Sequence, residues 1–269
     1  DASARNAEAV RAFLEQPSCT PLNPADAGTT GGVVGTLDRM CSEAEMQDRL
    51  HSRQLDAFEM AKGSTVVVPL LNPALAAKKY QRSSADKAYH GKDTRTLEMC
   101  AQSLLYLMTN IFGSSEFKEK NLCEIAEADN YWQVYSFLRD RTRAVRVDLH
   151  VQQPWSTCSA VYIVSHEVCL RFEILSMYLL KEKEEYLQKY DEKLAHKSCS
   201  QIMEPLLNAY VQARERHERG EAAYLSPCEP AIRCYIILLL LVGGGENSVF
   251  AELPKLPRSL LDHPAIKWA

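Results

Sequence analysis

The sequence lacks the features that mark disulfide-bonded, zinc-binding and membrane-spanning proteins. Its nine cysteines form no C-x-x-C pair and their number is odd, which predicts buried free thiols in a reducing compartment. The longest apolar run, YIILLLLV at 235–242, is far shorter than the roughly 20 residues that a bilayer span requires. We therefore expect a buried helix at 235–242 and no membrane insertion.

Glycine and net charge are also scarce. Only 11 of 269 residues are glycine, whereas Leu, Ala, Glu, Lys and Arg are abundant, a composition that favours helices over sheets. The formal net charge of −4 excludes a general attraction for nucleic acid, so any such contact must be local. The apolar share of 46% is ample for a hydrophobic core.

Motifs of the common enzyme classes are absent. His166 and Glu167 lack the second histidine of a zinc protease, because Leu170 stands at that position. GGGEN at 243–247 lacks the Gly-Lys-Ser/Thr of a phosphate-binding loop, and no G-x-S-x-G elbow occurs. We therefore expect no enzyme, and no catalytic, cofactor-binding or metal-binding residues.

Helical spacing of apolar residues runs through most of the chain, and no period-2 alternation persists long enough to support a sheet. The expected fold is an all-α, TPR-like or PCI-type solenoid stack of about eight to ten helices. Capping residues and periodicity predict helices that begin at Ser42, Asn72 and Met203, that span about 94–112, 130–150 and 159–186, and that run from Glu229 to the glycines at 243–245.

The first 38 residues differ from the rest. Residues 16–38 hold three prolines and four glycines, which predicts an irregular strap after a short opening helix. We divide the chain into an N-terminal extension, 1–38, and a helical domain, 39–269. The start at Asp1 without a methionine, and the new helix predicted at Pro264, suggest an excerpt from a longer protein.

The stretch FLRDRTRAVRVDL at 137–149 carries four arginines and two aspartates. Such a cluster can bind phosphate, stabilise an anionic transition state, or lie at the edge of a core where carboxylates neutralise it. On a helix, Arg139 and Arg146 share one shoulder of the apolar stripe, and Arg141 and Asp148 share the other. We favour a structural charge network, whose expected members are Arg139, Arg146, Asp148, Glu167 and Arg171.

A second group of basic residues has no obvious acidic partner nearby. Lys78, Lys79 and Arg82 lie in KKYQRSSA, and Arg143 points away from the core side of its helix. With Arg141, they are candidates for contact with nucleic acid or a protein partner. A solvated helix end is the simpler interpretation of the lysines.

Six segments resemble the SAC3/GANP family in order and spacing, over roughly residues 38–269. The most specific block, 137–149, is similar to the family pattern Phe-Leu-x-Asp-Arg-x-Arg-Ala-Ile-Arg-x-Asp-Leu. Departures at Cys41-Ser42, Ala85-Asp86, 171–173 and 231–235 indicate a divergent member. The resembling segments are 40–49, 78–89, 97–112, 135–153, 165–180 and 231–241.

The resemblance implies a scaffold subunit of the TREX-2 complex, which couples transcription to mRNA export at nuclear pores. It implies a helical segment that leads into a winged-helix, PCI-type module, which this chain would contain only in part. The implied partners are a PCI-domain subunit and a small acidic protein of the DSS/Sem type, with a DEAD-box RNA helicase and an mRNA export receptor as further candidates. RNA contact by this segment is expected to be weak or indirect.

Two alternatives remain. The chain could be a PCI-type scaffold subunit of the proteasome lid, the signalosome or the translation initiation machinery. It could also be a helical module that binds RNA directly through its arginines. Loss of RNA affinity without loss of fold in Arg139→Ala and Arg146→Ala would favour the second.

Overall fold

A computed structural model describes residues 33–65, 67–82, 89–113, 131–153, 156–181, 189–244 and 246–269. Within these ranges the chain forms nine α-helices and no β-strand, which confirms the predicted all-α fold. The predicted opening helix before residue 33 lies outside them. The helices are α1 Glu43–His51, α2 Leu97–Tyr106, α3 Tyr131–Val151, α4 Ala160–Lys181, α5 Glu192–Glu218, α6 Glu229–Gly244, α7 Glu246–Glu252, α8 Arg258–Leu261 and α9 Pro264–Trp268.

Helices α3 to α6 pack in chain order, each antiparallel to the next. Tyr131 at the start of α3 hydrogen-bonds Ser176 near the end of α4, and Gln153 after α3 hydrogen-bonds Tyr162 near the start of α4. Contacts between α4 and α5, and between α5 and α6, follow the same reversed order. Consecutive helices therefore bury each other's apolar faces, as expected for a stack.

Helix α4 is the centre of the main core, because it packs against α2, α3 and α5. All of its residues from Ala160 to Leu170 are buried, in agreement with a sequence that is apolar on nearly every side. A second, smaller core lies on the other face of α6, where Cys234 and Ile237 pack against Val249 and the last two helices. Helix α6 thus belongs to both cores.

Several predicted helix ends are confirmed. The Ser42 hydroxyl caps α1 by accepting from the Glu45 backbone N–H, and Pro264 occupies the first turn of α9. Helix α2 continues as a π-helix over Leu107–Phe112, and Gly113 caps its end as predicted. Helix α1 ends at His51, and Phe58 lies in a separate 3-10 turn, Ala57–Glu59.

The helix predicted from Asn72 through residue 83 does not form over the part that the structure describes, 72–82. The backbone N–H groups of this segment donate to side-chain carboxylates: Ala77 to Glu59 at 3.1 Å, Lys79 to Glu45 at 2.7 Å and Tyr80 to Asp140 at 3.1 Å. These donors are therefore unavailable for helical i to i−4 bonds. Tertiary contacts override a local signal that Pro73 and the following alanines supply.

The helix start predicted near Met203 from the position of Pro205 is also wrong, since α5 begins after the Asp191 cap and continues through the proline. A proline inside a helix removes one hydrogen bond and costs about 3 kcal/mol. Here the buried stripe of α5 continues from Ile202 before the proline to Leu206 and Tyr210 after it. The burial of apolar side chains before and after Pro205 offsets the free-energy cost of the proline.

The described part of the chain contains seven of the nine cysteines. All seven are unpaired and all are buried except Cys228, which is partly buried. Burial raises the pKa of the Cys41 and Cys100 thiols to about 12, so these two thiols are protonated at neutral pH. No helix in the described ranges is both long and apolar enough to cross a membrane.

Candidate functional site: the charged faces of helix α3

One buried carboxylate, that of Glu59, gathers the arginines of two helices. Its oxygens accept from Arg49 Nη1 at 2.9 and 2.7 Å and from Arg141 Nη2 at 2.9 Å. Burial by itself raises the pKa of Glu59, but the charges and hydrogen bonds of Arg141 and Arg49 outweigh it, so the pKa lies below its ordinary value. This Glu59 cluster fastens α1 and the 3-10 turn to α3.

Asp148 supplies a second buried carboxylate, on α3 itself and two turns after Arg141. It accepts from Lys78 Nζ at 2.6 Å and from Arg95 Nε at 2.7 Å. One turn later, the Gln152 amide accepts from the Gly35 N–H and donates to the Arg95 carbonyl, both at 3.0 Å. This Asp148 cluster holds the segments around residues 35, 78 and 95 against α3.

Gly35 is required by this arrangement because its backbone passes close to that of Arg95. A Cβ at this position would lie 2.3 Å from the Arg95 carbonyl oxygen and 2.8 Å from the Gln152 side chain. Only a glycine fits without displacing backbone.

A cavity of about 390 Å³ opens beside the Asp148 cluster. Its wall carries both signs of charge, including Glu45, Asp48 and Asp93 opposite Lys78 and Lys79. No group of three or more His, Cys, Asp or Glu side chains suited to a metal ion occurs among the residues that the structure describes. The cavity is therefore a mixed-charge recess in which the buried carboxylate, Asp148, is already paired.

Arg139 has a different counter-charge from the one we predicted. Its Nε lies 3.7 Å from the Glu173 carboxylate of α4, which also accepts from Ser198 Oγ at 2.8 Å. Glu167, the predicted partner, faces α5 instead and accepts from the Tyr210 hydroxyl at 2.6 Å. Glu173 lies six positions after Glu167 on α4, so the two side chains point about 120° apart around the helix axis.

Glu167 and Arg171 form a group of their own. Burial raises the pKa of Glu167, although hydrogen bonds from Ser226 and Tyr210 and the charge of Arg171 act in the opposite direction. Burial lowers the pKa of Arg171, but a hydrogen bond with the Cys228 side chain and, to a smaller extent, the charge of Glu167 outweigh it, so the pKa is raised. The pair sits on the side of α4 that faces away from α3.

Arg146 is 9% exposed and has no carboxylate within salt-bridge distance in the described part of the chain. Its Nε lacks a hydrogen-bond partner there, and it hydrogen-bonds the Cys169 thiol. Burial lowers the pKa of Arg146; the charge of Glu173 acts in the opposite direction, and the like charges of Arg143 and Arg139 add to the lowering. The predicted five-residue network is therefore corrected: it is divided among three groups, and Arg146 lacks a salt bridge.

Two of the five candidates for nucleic-acid or partner contact are engaged within the fold. Arg141 is 3% exposed in the Glu59 cluster, and the Lys78 ammonium is paired with Asp148. Lys79 Nζ lies 3.4 Å from the Gln54 side-chain oxygen, and Arg82 is exposed. Arg143 stacks on the Tyr80 ring with its Cζ 4.0 Å from the ring centroid.

Sequence reasoning missed the residues that neutralise α3. Glu59, Glu173, Arg49 and Arg95 lie on other elements, so neither helical spacing nor a local motif marks their pairing. The one local signal was the Asp56–Glu59 capping box, which places Glu59 at the end of a tight turn.

Comparison with known proteins shows which family this helical stack belongs to. Residues 40–269 match the model of the SAC3/GANP family. The chain belongs to the SAC3/GANP family. This confirms the resemblance seen in its sequence, and the match begins just before α1 and extends through α9.

Three relatives of this SAC3/GANP chain span kingdoms. It is 26% identical to Protein xmas of Drosophila melanogaster over 252 residues, and the aligned region covers 92% of this chain and 11% of that protein. It is 25% identical over 212 residues to SAC3 family protein B of Arabidopsis thaliana, with 78% and 11% covered. It is 25% identical over 251 residues to SAC3 family protein 1 of Schizosaccharomyces pombe, with 93% and 21% covered.

The SAC3/GANP chain therefore spans between 11% and 21% of the length of these curated relatives. No solved structure matches it.

Proposed function

We propose that this chain is a non-enzymatic helical scaffold of an mRNA export complex in the nucleus, at the nuclear pore. Family membership supports the export role. The observation that carries the scaffold role is that the most specific family block, 137–149, uses Arg141 and Asp148 in buried ion pairs. Charges held this way set the register of helices and connecting segments, because each partner is desolvated and geometrically constrained.

The proposed partners are a PCI-domain subunit and a small acidic subunit, with a DEAD-box RNA helicase and an mRNA export receptor as further components. The C-terminal helices support a protein interface, since they expose large apolar side chains. Val242, Phe250 and Trp268 are 75%, 65% and 77% exposed. We propose that these side chains contribute to a docking surface, which requires that they form one contiguous apolar patch.

Affinity purification of the tagged chain from nuclear extract tests this proposal. We expect recovery of a PCI-domain subunit, a small acidic subunit and export factors. Recovery of proteasome-lid, signalosome or initiation-factor subunits without export factors would instead support the alternative scaffold role.

A matched pair of variants tests the interface. Phe250→Ser removes an exposed apolar side chain from α7, and Tyr178→Ser removes one that is 57% exposed on α4. We expect Phe250→Ser to reduce recovery of the PCI-domain subunit and Tyr178→Ser to leave it unchanged. Equal recovery with both variants would exclude the C-terminal helices as the docking surface.

A further inference from the structure

The mixed-charge recess beside the Asp148 cluster carries more negative than positive charge. Its wall holds four carboxylates and two ammonium groups, which belong to Glu45, Asp48, Asp93, Asp148, Lys78 and Lys79. Half of these charges are already compensated within the fold. Lys78 is paired with Asp148, and the Glu45 carboxylate lies 3.6 Å from Arg49 Nε.

Two carboxylates of the recess are left without a counter-charge. Asp48 on α1 and Asp93 in the 3-10 turn Gly91–Asp93 are exposed, and within the described ranges neither side chain makes a salt bridge or a hydrogen bond. The remaining ammonium group, Lys79 Nζ, lies 3.4 Å from Gln54 Oε1, an acceptor that is not part of the recess wall. The recess therefore presents net negative charge to a ligand, and a ligand could bind these two carboxylates without breaking a described contact.

Aromatic and aliphatic side chains complete the wall. Tyr80 and Tyr89 line the recess, together with Ala144 and Val147 of α3. The Tyr80 ring is held in place because the Arg143 guanidinium lies over it, with Cζ 4.0 Å from the ring centroid. A volume of about 390 Å³ is within the range of ordinary ligand sites, and rings beside carboxylates are typical of sites for cationic groups. The recess thus combines apolar walls for an aliphatic stem with carboxylates for a positive head.

We propose that this recess binds a lysine or arginine side chain of a partner protein. The stem of that side chain packs against the apolar wall, and Asp48 and Asp93 neutralise its charged head. An anionic ligand is disfavoured, because it would bring a like charge beside two unpaired carboxylates. An uncharged apolar side chain would desolvate these carboxylates without replacing their lost water. The inference goes beyond the proposed function, since it holds for any partner that presents such a side chain.

NMR titration of the isotope-labelled 269-residue chain with blocked pentapeptides tests the proposal. The peptides carry a central lysine, arginine, norleucine or glutamate between glycine and serine. We expect the lysine and arginine peptides, at up to about 10 mM, to shift the amide signals of the recess, and the norleucine peptide not to do so. Asp48→Asn and Asp93→Asn should each weaken binding about threefold, and the double variant about tenfold. Glu204→Gln removes an equal charge from an exposed position on α5 and should bind as the unmodified chain does.

Three results would overturn the proposal. The first is an absence of amide shifts at Asp48, Tyr80 and Asp93 with both cationic peptides. The second is binding of the norleucine or glutamate peptide as tight as that of the lysine and arginine peptides. The third is unchanged affinity in the double variant at a melting temperature equal to that of the unmodified chain. Any of these results, with export subunits still recovered in the purification, would leave the proposed function standing.

Discussion

Replacing Glu59 with glutamine keeps the size and burial of the side chain but removes its charge. Glu59 is fully buried and lies between Arg49 and Arg141, which are 4% and 3% exposed. In Glu59→Gln, two buried guanidinium groups would lose the fully buried carboxylate that they share, and each would keep only a more exposed one, Glu45 beside Arg49 and Asp140 beside Arg141. Breaking a buried ion pair in this way costs about 3 to 5 kcal/mol, a large part of the stability of an ordinary domain.

Glu167→Gln is the matched comparison, because Glu167 is 2% exposed and undergoes the same chemical change. The pKa of Glu59 is lowered in the fold, whereas burial raises the pKa of Glu167. The ionised form is therefore favoured at Glu59 and disfavoured at Glu167. We expect Glu59→Gln to lower the melting temperature by on the order of 10 °C and Glu167→Gln to change it little or raise it.

The pH dependence of unfolding in urea distinguishes the two sites further. Because the folded pKa of Glu59 is below its ordinary 4.5, its contribution is complete above that pH and is lost as the pH falls through the folded pKa. The difference between the unmodified chain and Glu59→Gln should therefore shrink in acid. For Glu167, whose folded pKa is above 4.5, stability is lost as the pH rises through that pKa, and glutamine removes this loss.

Equal melting temperatures for Glu59→Gln and the unmodified chain at pH 7 would refute the reasoning. So would a loss in Glu167→Gln as large as that in Glu59→Gln, since burial alone would then explain both. Glu204→Gln, at an exposed position on α5, measures the effect of the substitution itself and should lie within about 0.5 kcal/mol of the unmodified chain.

Three further changes have defined outcomes. Asp148→Asn leaves Arg95 and Lys78 without their carboxylate and should cost about 3 to 5 kcal/mol in urea unfolding; a loss below 1 kcal/mol would contradict the role of that cluster. Pro205→Ala restores a helical N–H inside α5 and should therefore raise the melting temperature. The expected gain in unfolding free energy is roughly 1 to 2 kcal/mol, because alanine also makes the unfolded chain more flexible and so offsets part of the benefit. A lower melting temperature would show that the packing of the proline ring is needed. Burial lowers the pKa of His166 to about 3, so its NMR titration should show no protonation between pH 5 and 8, and the stability that it contributes should be lost as the pH falls below 6.5.

The positions of α2, α3, α4 and α6 could be predicted because the signals are local. Thr96, Gly113, Glu229 and the apolar spacing between them act within one or two turns of the chain, and the structure keeps them. The predictions of a helix after Asn72 and of a helix start near Met203 failed for the opposite reason. Their local signals are as clear as the others, but carboxylates from distant residues and a continuous buried stripe outweigh them.

For the charged site too, the features that depend on local geometry could be predicted from the sequence. Helical geometry by itself separates the arginines of 137–149 into two shoulders and an outward residue, since rotation per residue depends only on the helix. The family block is likewise legible in the order of its residues, and the SAC3/GANP match confirms it.

Which charges meet was decided by tertiary packing. Glu59 meets Arg141 across 82 residues, and Arg95 meets Asp148 across 53, so no sequence window contains either pair. The rotation of α4 brings Glu173 to Arg139 and turns Glu167 toward Tyr210 of α5, so within the described ranges no carboxylate lies within 4 Å of Arg146. Periodicity states where a side chain points along its own helix, but only the packed neighbours determine whether a counter-charge lies there.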